Sequence, residues 1–196
     1  GGSFDPVHKG HVNLVQQIYD KTELDEIIIM PTAISPFKQN MERKPASAED
    51  RLEMCRLAFA DMDFVTVSDY ETSLSEVSYT VNTIRHFREM YPDDNLFFIM
   101  GSDMLLSFER WKNFEEILSM CTLIAASRED GETDMDELEA KAETLRRYGN
   151  VMLLRTDAYE VSSTEIREKI KNNSDVSCYM HENVVKYILE DKLYTD

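Results

Sequence analysis

Apolar positions along the chain alternate between short continuous runs and helical spacing. EIIIM at 26–30 is nearly all apolar, as in a strand buried on both faces. FVTVS at 64–68, LFFIMG at 96–101, TLIAAS at 122–127 and VMLL at 151–154 read as further strands. Between them apolar residues recur three or four apart, the signature of a helix face. A first helix starts at Pro6 and runs through Val12, Val15, Ile18 and Tyr19. A second covers 47–62, where Leu52, Cys55, Leu57, Ala58 and Phe59 share one broad face. Its Ser47 stands three residues before Asp50, a relative of the capping box. Helices follow over 77–91, closed by Pro92, and over 113–120 and 134–147; two more, 163–172 and 182–191, end the chain.

Strand–helix alternation of this kind predicts an α/β fold with a doubly wound parallel sheet and right-handed crossovers. Ligands of such sheets bind at the carboxyl ends of the strands. Conspicuous polar groups stand there: Gly1–Gly2, Pro31, Gly101–Asp103 and the segment after 151–154. No repeat or Pro/Gly/Ser-rich linker interrupts the pattern, so residues 1–196 read as one domain.

Composition narrows the function. Hydrophobic residues make up 42% and charged residues 30% of the 196, the balance of an ordinary globular protein. No run is long and apolar enough for a membrane span, and no secretory leader is expected. Cys55, Cys121 and Cys178 are odd in number, widely spaced and free of CxxC. They fit a reducing cytoplasm, argue against zinc, and are each expected to serve as a small buried hydrophobe. With 21 basic and 38 acidic residues the net charge is −17. An acidic surface disfavours nonspecific binding to nucleic acid or anionic lipid, so neither is an expected partner. Phosphate chemistry would have to be local, in a pocket where a few Lys, Arg and His converge.

GGSFDPVHKGH at 1–11 offers such a place. A glycine pair at a strand end lets backbone approach a ligand and leaves N–H groups for an anion. The helix behind it adds partial positive charge. His8 and His11 are three apart, on one face of the first turn, and both can donate to phosphate oxygens. Gly10 between them keeps that access open. A glycine turn with two surface histidines is the plain alternative, and a metal-binding pair is a third. VSSTEIR at 161–167 also follows a strand and opens a helix. Ser162 and Ser163 stand at its cap and Arg167 one turn in, placed to fork onto phosphate oxygens. Alone, this segment reads first as a plain N-cap with a surface arginine.

Together the two segments resemble the (T/H)xGH and ISSTxxR motifs of the nucleotidyltransferase superfamily. PTAISPFK at 31–38, EVSYTVNTI at 76–84 and FFIMGSDMLLSFERWKNFEEIL at 97–118 resemble three further segments of the bacterial nicotinate mononucleotide adenylyltransferases. The match covers nearly the whole chain in order. It implies a Rossmann-like, three-layer αβα fold of the adenylyltransferase type. It also implies a short apolar strand before the glycine pair, expected upstream of Gly1. Ser3 stands where threonine is commoner, and Val77 where a glycine usually precedes SYT.

The implied reaction is transfer of AMP from ATP to nicotinate mononucleotide, giving deamido-NAD and pyrophosphate in NAD biosynthesis. Catalytic roles fall on His8, His11, Lys38 and Arg167, with His11 stabilising charge at the α-phosphate. Gly1, Gly2, Ser3, Phe4, Gly101, Asp103, Ser162 and Ser163 join His8, His11 and Arg167 in holding ATP, Asp103 through ribose hydroxyls. Lys38, Tyr79, Thr80, Thr83 and Trp111 fall to the mononucleotide. Trp111, expected to start a helix, would stack on the cationic pyridine ring. Mg²⁺ is expected on the ATP phosphates, with no dedicated protein ligands. A homo-oligomer is compatible with the sequence. The competing readings are pantetheine-phosphate adenylyltransferase, a cytidylyltransferase, and a nucleotide-binding regulator without catalysis. His86 and His181 read as partly exposed helix residues, and 129–143 as a solvated acidic helix with its lead-in.

Overall fold

The computed structural model describes residues 1–32, 45–74, 78–128, 135–157 and 159–195. In chain order these form α1 (Lys9–Lys21), β1 (Ile27–Ile29), α2 (Ala48–Ala58), β2 (Val65–Val67), α3 (Thr80–Met90), β3 (Phe97–Gly101) and α4 (Ser102–Leu106). A 3-10 turn (Phe108–Arg110), α5 (Phe114–Met120), β4 (Thr122–Arg128), α6 (Met135–Leu145), β5 (Val151–Thr156), α7 (Ser163–Lys171) and α8 (Glu182–Glu190) follow. The chain divides into two compact units, Gly1–Val77 with Tyr159–Asp196, and Ser78–Ala158.

In the first unit β1 pairs with β2 in parallel, Ile27 opposite Val65 and Ile29 opposite Val67. The carbonyl of Ile29 accepts from the Ser68 N–H at 2.9 Å. The next carbonyl, that of Met30, points the other way and accepts from the Gly2 N–H at 3.1 Å, while Gly2's own carbonyl accepts from the Thr32 N–H at 2.9 Å. The start of the chain is thereby fastened beside the carboxyl end of β1. Helix α2 begins with a full capping box: the Ser47 hydroxyl accepts from the Asp50 N–H at 3.0 Å, and Asp50 Oδ2 accepts from the Ser47 N–H at 3.2 Å. It ends at Ala58, short of the expected Met62. Its buried face is Arg51, Leu52, Met54, Cys55 and Ala58, with Leu57 only half-buried.

In the second unit β3, β4 and β5 pair in parallel in that order, Gly101 opposite Ala126 and Ala126 opposite Leu154. The core gathers Leu105, Phe108, Ile117, Leu123, Leu138 and Leu145, all closed to solvent. Each contributes roughly 1.5–3 kcal/mol by burial. Leu105 and Phe108, three apart, explain α4 and the 3-10 turn, which the sequence pattern does not announce: two short elements fold because each drives one large side chain into this core.

The parallel α/β pattern expected from the alternation is present. Among the described residues the strands pair as two parallel sheets and not as one, because Gly2 adds only a single bridge to β1, and no described strand pairs with both β1 and β3. Cys55 and Cys121 are buried as expected, but Cys178 is exposed, lying in the turns between α7 and α8 rather than on an apolar face. His86 is half-buried on α3, and half-buried His181 is the N-cap of α8, its Nδ1 accepting from the Asn183 N–H at 3.3 Å. No helix among the described residues is long and apolar enough to cross a membrane.

Candidate active site

The site in the first unit is built on the turn from Gly1 to His8. Phe4 takes a φ of 48°, in the left-handed region, which costs a bulky side chain roughly 1–2 kcal/mol. Its ring is 8% exposed and meets His11 edge-on at 5.0 Å. A Cβ on Gly2 would come within 3.2 Å of that ring, so glycine is what lets the turn close. The glycine pair was expected to leave its N–H groups for an anion; the Gly2 N–H is instead spent on the Met30 carbonyl, because the turn runs beside β1 as a strand partner.

Helix α1 starts at Lys9, three residues after Pro6, with His8 as its N-cap. His8 is 5% exposed. Its backbone N–H donates to Nδ1 of His11 at 3.2 Å, and the two rings stack with centroids 3.8 Å apart and planes 27° apart. A ring nitrogen that accepts from a backbone N–H carries no proton. Neutral His11 is therefore assigned the tautomer with hydrogen on Nε2, a donor suited to a phosphate oxygen. Gly10 has a tighter reason than access: a Cβ there would stand 3.0 Å from Nδ1 of His8 and 3.0 Å from Cγ1 of Val161. The glycine of HxGH lets α1 press against the segment that leads into α7.

Helix α7 reaches the same turn. Ser162 is its N-cap and accepts from the Glu165 N–H at 3.2 Å, while the Ser162 N–H and hydroxyl both donate to Glu165 Oε2 at 2.9 Å. The Ser163 hydroxyl donates to the Pro6 carbonyl at 2.9 Å. Arg167 donates to the Asp5 carbonyl at 2.6 Å and to Thr164 Oγ1 at 3.1 Å. The amino ends of α1 and α7, each a source of partial positive charge, thus meet at one turn. Its underside is polar as well. Arg51, 3% exposed, donates to the Ser3 carbonyl at 2.8 Å and to the Ala46 carbonyl at 3.2 Å. Asp5, 7% exposed, accepts at Oδ1 from the Tyr194 hydroxyl at 2.8 Å and the Ala46 N–H at 3.1 Å. Burial pushes the Arg51 guanidinium below its ordinary value, and the neighbouring Asp5 opposes that shift. Arg51, Asp5 and Tyr194 were not among the residues singled out from sequence. Lys38 lies outside the described residues.

The second unit holds another group of candidates. Tyr79 caps α3, Thr80 opens it, and Thr83 is buried at 6% on its inner side. The Lys112 ammonium lies over the Tyr79 ring at 4.1 Å, which brings the Trp111–Lys112 step to the start of α3. Trp111 closes the 3-10 turn; it does not start a helix, and α5 begins only after Asn113, held at a φ of 54°. The indole is half-buried, edge-on to Phe98 at 5.9 Å and tilted on Phe108 at 5.3 Å. Gly101 ends β3 and caps α4, and Asp103 is exposed in the first turn of α4.

A model of the cytidylyltransferase-like family matches residues 1–169. A Clostridium botulinum protein (strain Loch Maree / Type A3) named "Probable nicotinate-nucleotide adenylyltransferase" is 35% identical over 195 residues, spanning 99% of this chain and 96% of that protein. The chain belongs to the nicotinate-nucleotide adenylyltransferase family. A relative of the same name from strain Alaska E43 / Type E3 is 35% identical over 197 residues, spanning all of this chain and 96% of its own length. Among solved structures, Plasmodium falciparum nicotinic acid mononucleotide adenylyltransferase complexed with NaAD superposes with a TM-score of 0.76 at 20% identity. That superposition covers 98% of this chain and 94% of the other, and it establishes the shared Rossmann-like fold. The same Plasmodium protein complexed with APC gives a TM-score of 0.75.

Proposed function

We propose that this chain transfers the AMP moiety of ATP to the 5′-phosphate of nicotinate mononucleotide, releasing pyrophosphate and forming deamido-NAD. The observation that carries the reading is the meeting of α1 and α7 at the Gly1–His8 turn, with a stacked His8–His11 pair whose hydrogen bond leaves the proton of His11 on Nε2. Such an arrangement suits phosphate, and the names of the relatives support a nicotinate mononucleotide acceptor.

The attacking group is already an anion, so the protein needs no covalent intermediate. It holds two anions in line and offsets the charge that develops at the α-phosphate. His11 Nε2–H donates to an α-phosphate oxygen. The buried His8 backs the His11 ring and fixes its plane. Gly1, Gly2, Ser3 and Phe4 lie along the nucleotide, and Ser162, Ser163, Arg167 and Lys38 hold its phosphates. Gly101 and Asp103 are the candidates for the ribose, Asp103 accepting from its hydroxyls. Tyr79, Thr80 and Thr83 serve the pyridine carboxylate, and the face of Trp111 serves the pyridinium, an attraction of about 0.5–2 kcal/mol.

Mg²⁺, bound with ATP, would supply positive charge that offsets the phosphates. The side chains at the turn that could face a cation are imidazoles, hydroxyls and the Asp5 carboxylate, already held by Tyr194 and Ala46, and no group of three or more His, Cys, Asp or Glu side chains converges among the described residues. Such a set fits an ion held by phosphate and water rather than by a protein cage. We read the chain as one nucleotidyltransferase domain acting in the cytoplasm. The test is to incubate it with ATP, Mg²⁺ and nicotinate mononucleotide and to quantify products. Dinucleotide and pyrophosphate in equal amounts support the reading; ATP cleavage without dinucleotide contradicts it.

A further inference from the structure

We propose that Arg51 and Tyr194, which lie outside both phosphate motifs, are positioning residues that hold the nucleotide-binding turn from beneath, Arg51 through the Ser3 carbonyl and Tyr194 through the Asp5 carboxylate. The inference rests on the proposed adenylyl transfer for its chemistry and goes beyond it in the residues it names.

The turn carries four acceptors within four residues. The Ser3 carbonyl receives Arg51 at 2.8 Å, Asp5 Oδ1 receives Tyr194 at 2.8 Å, the Asp5 carbonyl receives Arg167 at 2.6 Å and the Pro6 carbonyl receives Ser163 at 2.9 Å. Two of those donors belong to the α7 motif. The other two come from α2 and from the far end of the chain, 189 residues from Asp5 in the case of Tyr194. Between Ser3 and Asp5 stands Phe4, in a left-handed conformation that persists only if its neighbours fix it. Phe4 in turn sets the edge of its ring against His11 at 5.0 Å. Loosening either carbonyl or carboxylate therefore acts on the ring that flanks the proposed phosphate donor.

The energetics favour a positioning role over a stabilising one. Burying a guanidinium is costly, and an apolar side chain of similar volume at such a site is often neutral or stabilising. Arg51 nevertheless sits 3% exposed on an otherwise apolar face, between Ser47 and Met54, with its fork on two backbone carbonyls. A planar fork holds two carbonyls in one fixed geometry, which the rotatable ammonium of lysine does not. Arg51 also ties Ser3 to Ala46, whose N–H is held by Asp5. The two clamps thus share one loop.

The test uses the full chain and reads affinity for a non-hydrolysable ATP analogue by calorimetry, which does not depend on the acceptor. Arg51→Lys and Arg51→Ala should weaken nucleotide binding by tenfold or more. Millimolar guanidinium should restore part of the affinity lost in Arg51→Ala. Tyr194→Phe removes one hydroxyl and should weaken binding three- to tenfold with little change in melting temperature. Met54→Ala, on the same buried face, is the control: it should lower stability and leave affinity within twofold. If Arg51→Ala fails to fold, Arg51→Lys and Tyr194→Phe decide. Affinities of both within twofold of the parent, or losses matched by Met54→Ala, overturn the inference. If the parent binds the analogue but makes no dinucleotide, the acceptor assignment fails while this inference is still judged by the variants. A parent that does not bind the analogue overturns both.

Discussion

The backbone N–H of His8 donates to Nδ1 of His11 at 3.2 Å, and the same two residues stack their rings at 3.8 Å. One spacing therefore serves two ends. It caps the amino end of α1, and it leaves the proton of neutral His11 on Nε2. The pair is a local device that three residues of separation make possible.

His11→Ala and His11→Asn separate these ends. Both should lower kcat by on the order of 10²–10³, the usual consequence of removing a preorganised donor at developing charge. Asparagine keeps an acceptor for the His8 N–H, whereas alanine gives up the cap at a cost of about 0.5–2 kcal/mol. Steady-state kinetics and denaturant unfolding on both variants check this. An unchanged kcat in either would remove His11 from the chemistry.

Gly10→Ala tests the packing between α1 and the entry to α7. Alanine in place of glycine inside a helix contributes about 0.8–1 kcal/mol in propensity. Its Cβ would stand 3.0 Å from both the His8 ring and Val161, so one of them must shift. The melting temperature should change little while kcat falls at least tenfold. A large loss of stability with kcat retained would mean that the contact is relieved elsewhere.

The elements were legible where a pattern runs long enough to show its period. All five described strands and the eight-residue-or-longer helices follow from alternation and capping. The α4 and 3-10 elements were not, since five and three residues complete no more than about one and a half turns. Trp111 was misplaced for the same reason. His8, His11, Ser163 and Arg167 were readable as candidates because local motifs mark them, and the structure brings Ser163 and Arg167 onto the turn that leads to His8. Arg51 left one signal, a charge at a core register on α2. Tyr194 left none, because its partner is fixed only by the fold. Gly10 was read as an opening and is a packing contact, since sequence spacing does not show what lies across from a helix.

Trp111→Ala should raise KM for the mononucleotide with little effect on KM for ATP. Because the indole also packs on Phe98 and Phe108, the variant should lose about 1–3 kcal/mol of stability. Kinetics in which each substrate is varied in turn check the first part. An effect confined to ATP would contradict the stacking role.

Burial pushes the Cys55 and Cys121 thiols from 9.0 up to about 12, in Cys55 against the opposing charge of Arg51. Below pH 9 both are protonated folded or unfolded and add no pH dependence. Between about pH 9 and 12 the unfolded chain ionises and the folded one does not, so stability falls by up to about 1.4 kcal/mol per pH unit for each thiol. Cys121→Ala should flatten that slope in unfolding curves taken from pH 8 to 10.5. At neutral pH only the exposed Cys178 should react promptly with a thiol reagent, and all three should react in denaturant. Prompt labelling of more than one thiol in the native protein would contradict the burial.

The most direct test of the central claim is pyrophosphate release from ATP and Mg²⁺ with nicotinate mononucleotide, nicotinamide mononucleotide and phosphopantetheine as separate acceptors. The account predicts turnover with the pyridine mononucleotides, the nicotinate form giving the higher kcat/KM, and none with phosphopantetheine. Release with phosphopantetheine alone would contradict it, leaving the two phosphate motifs rightly assigned and Tyr79, Thr80, Thr83 and Trp111 wrongly so.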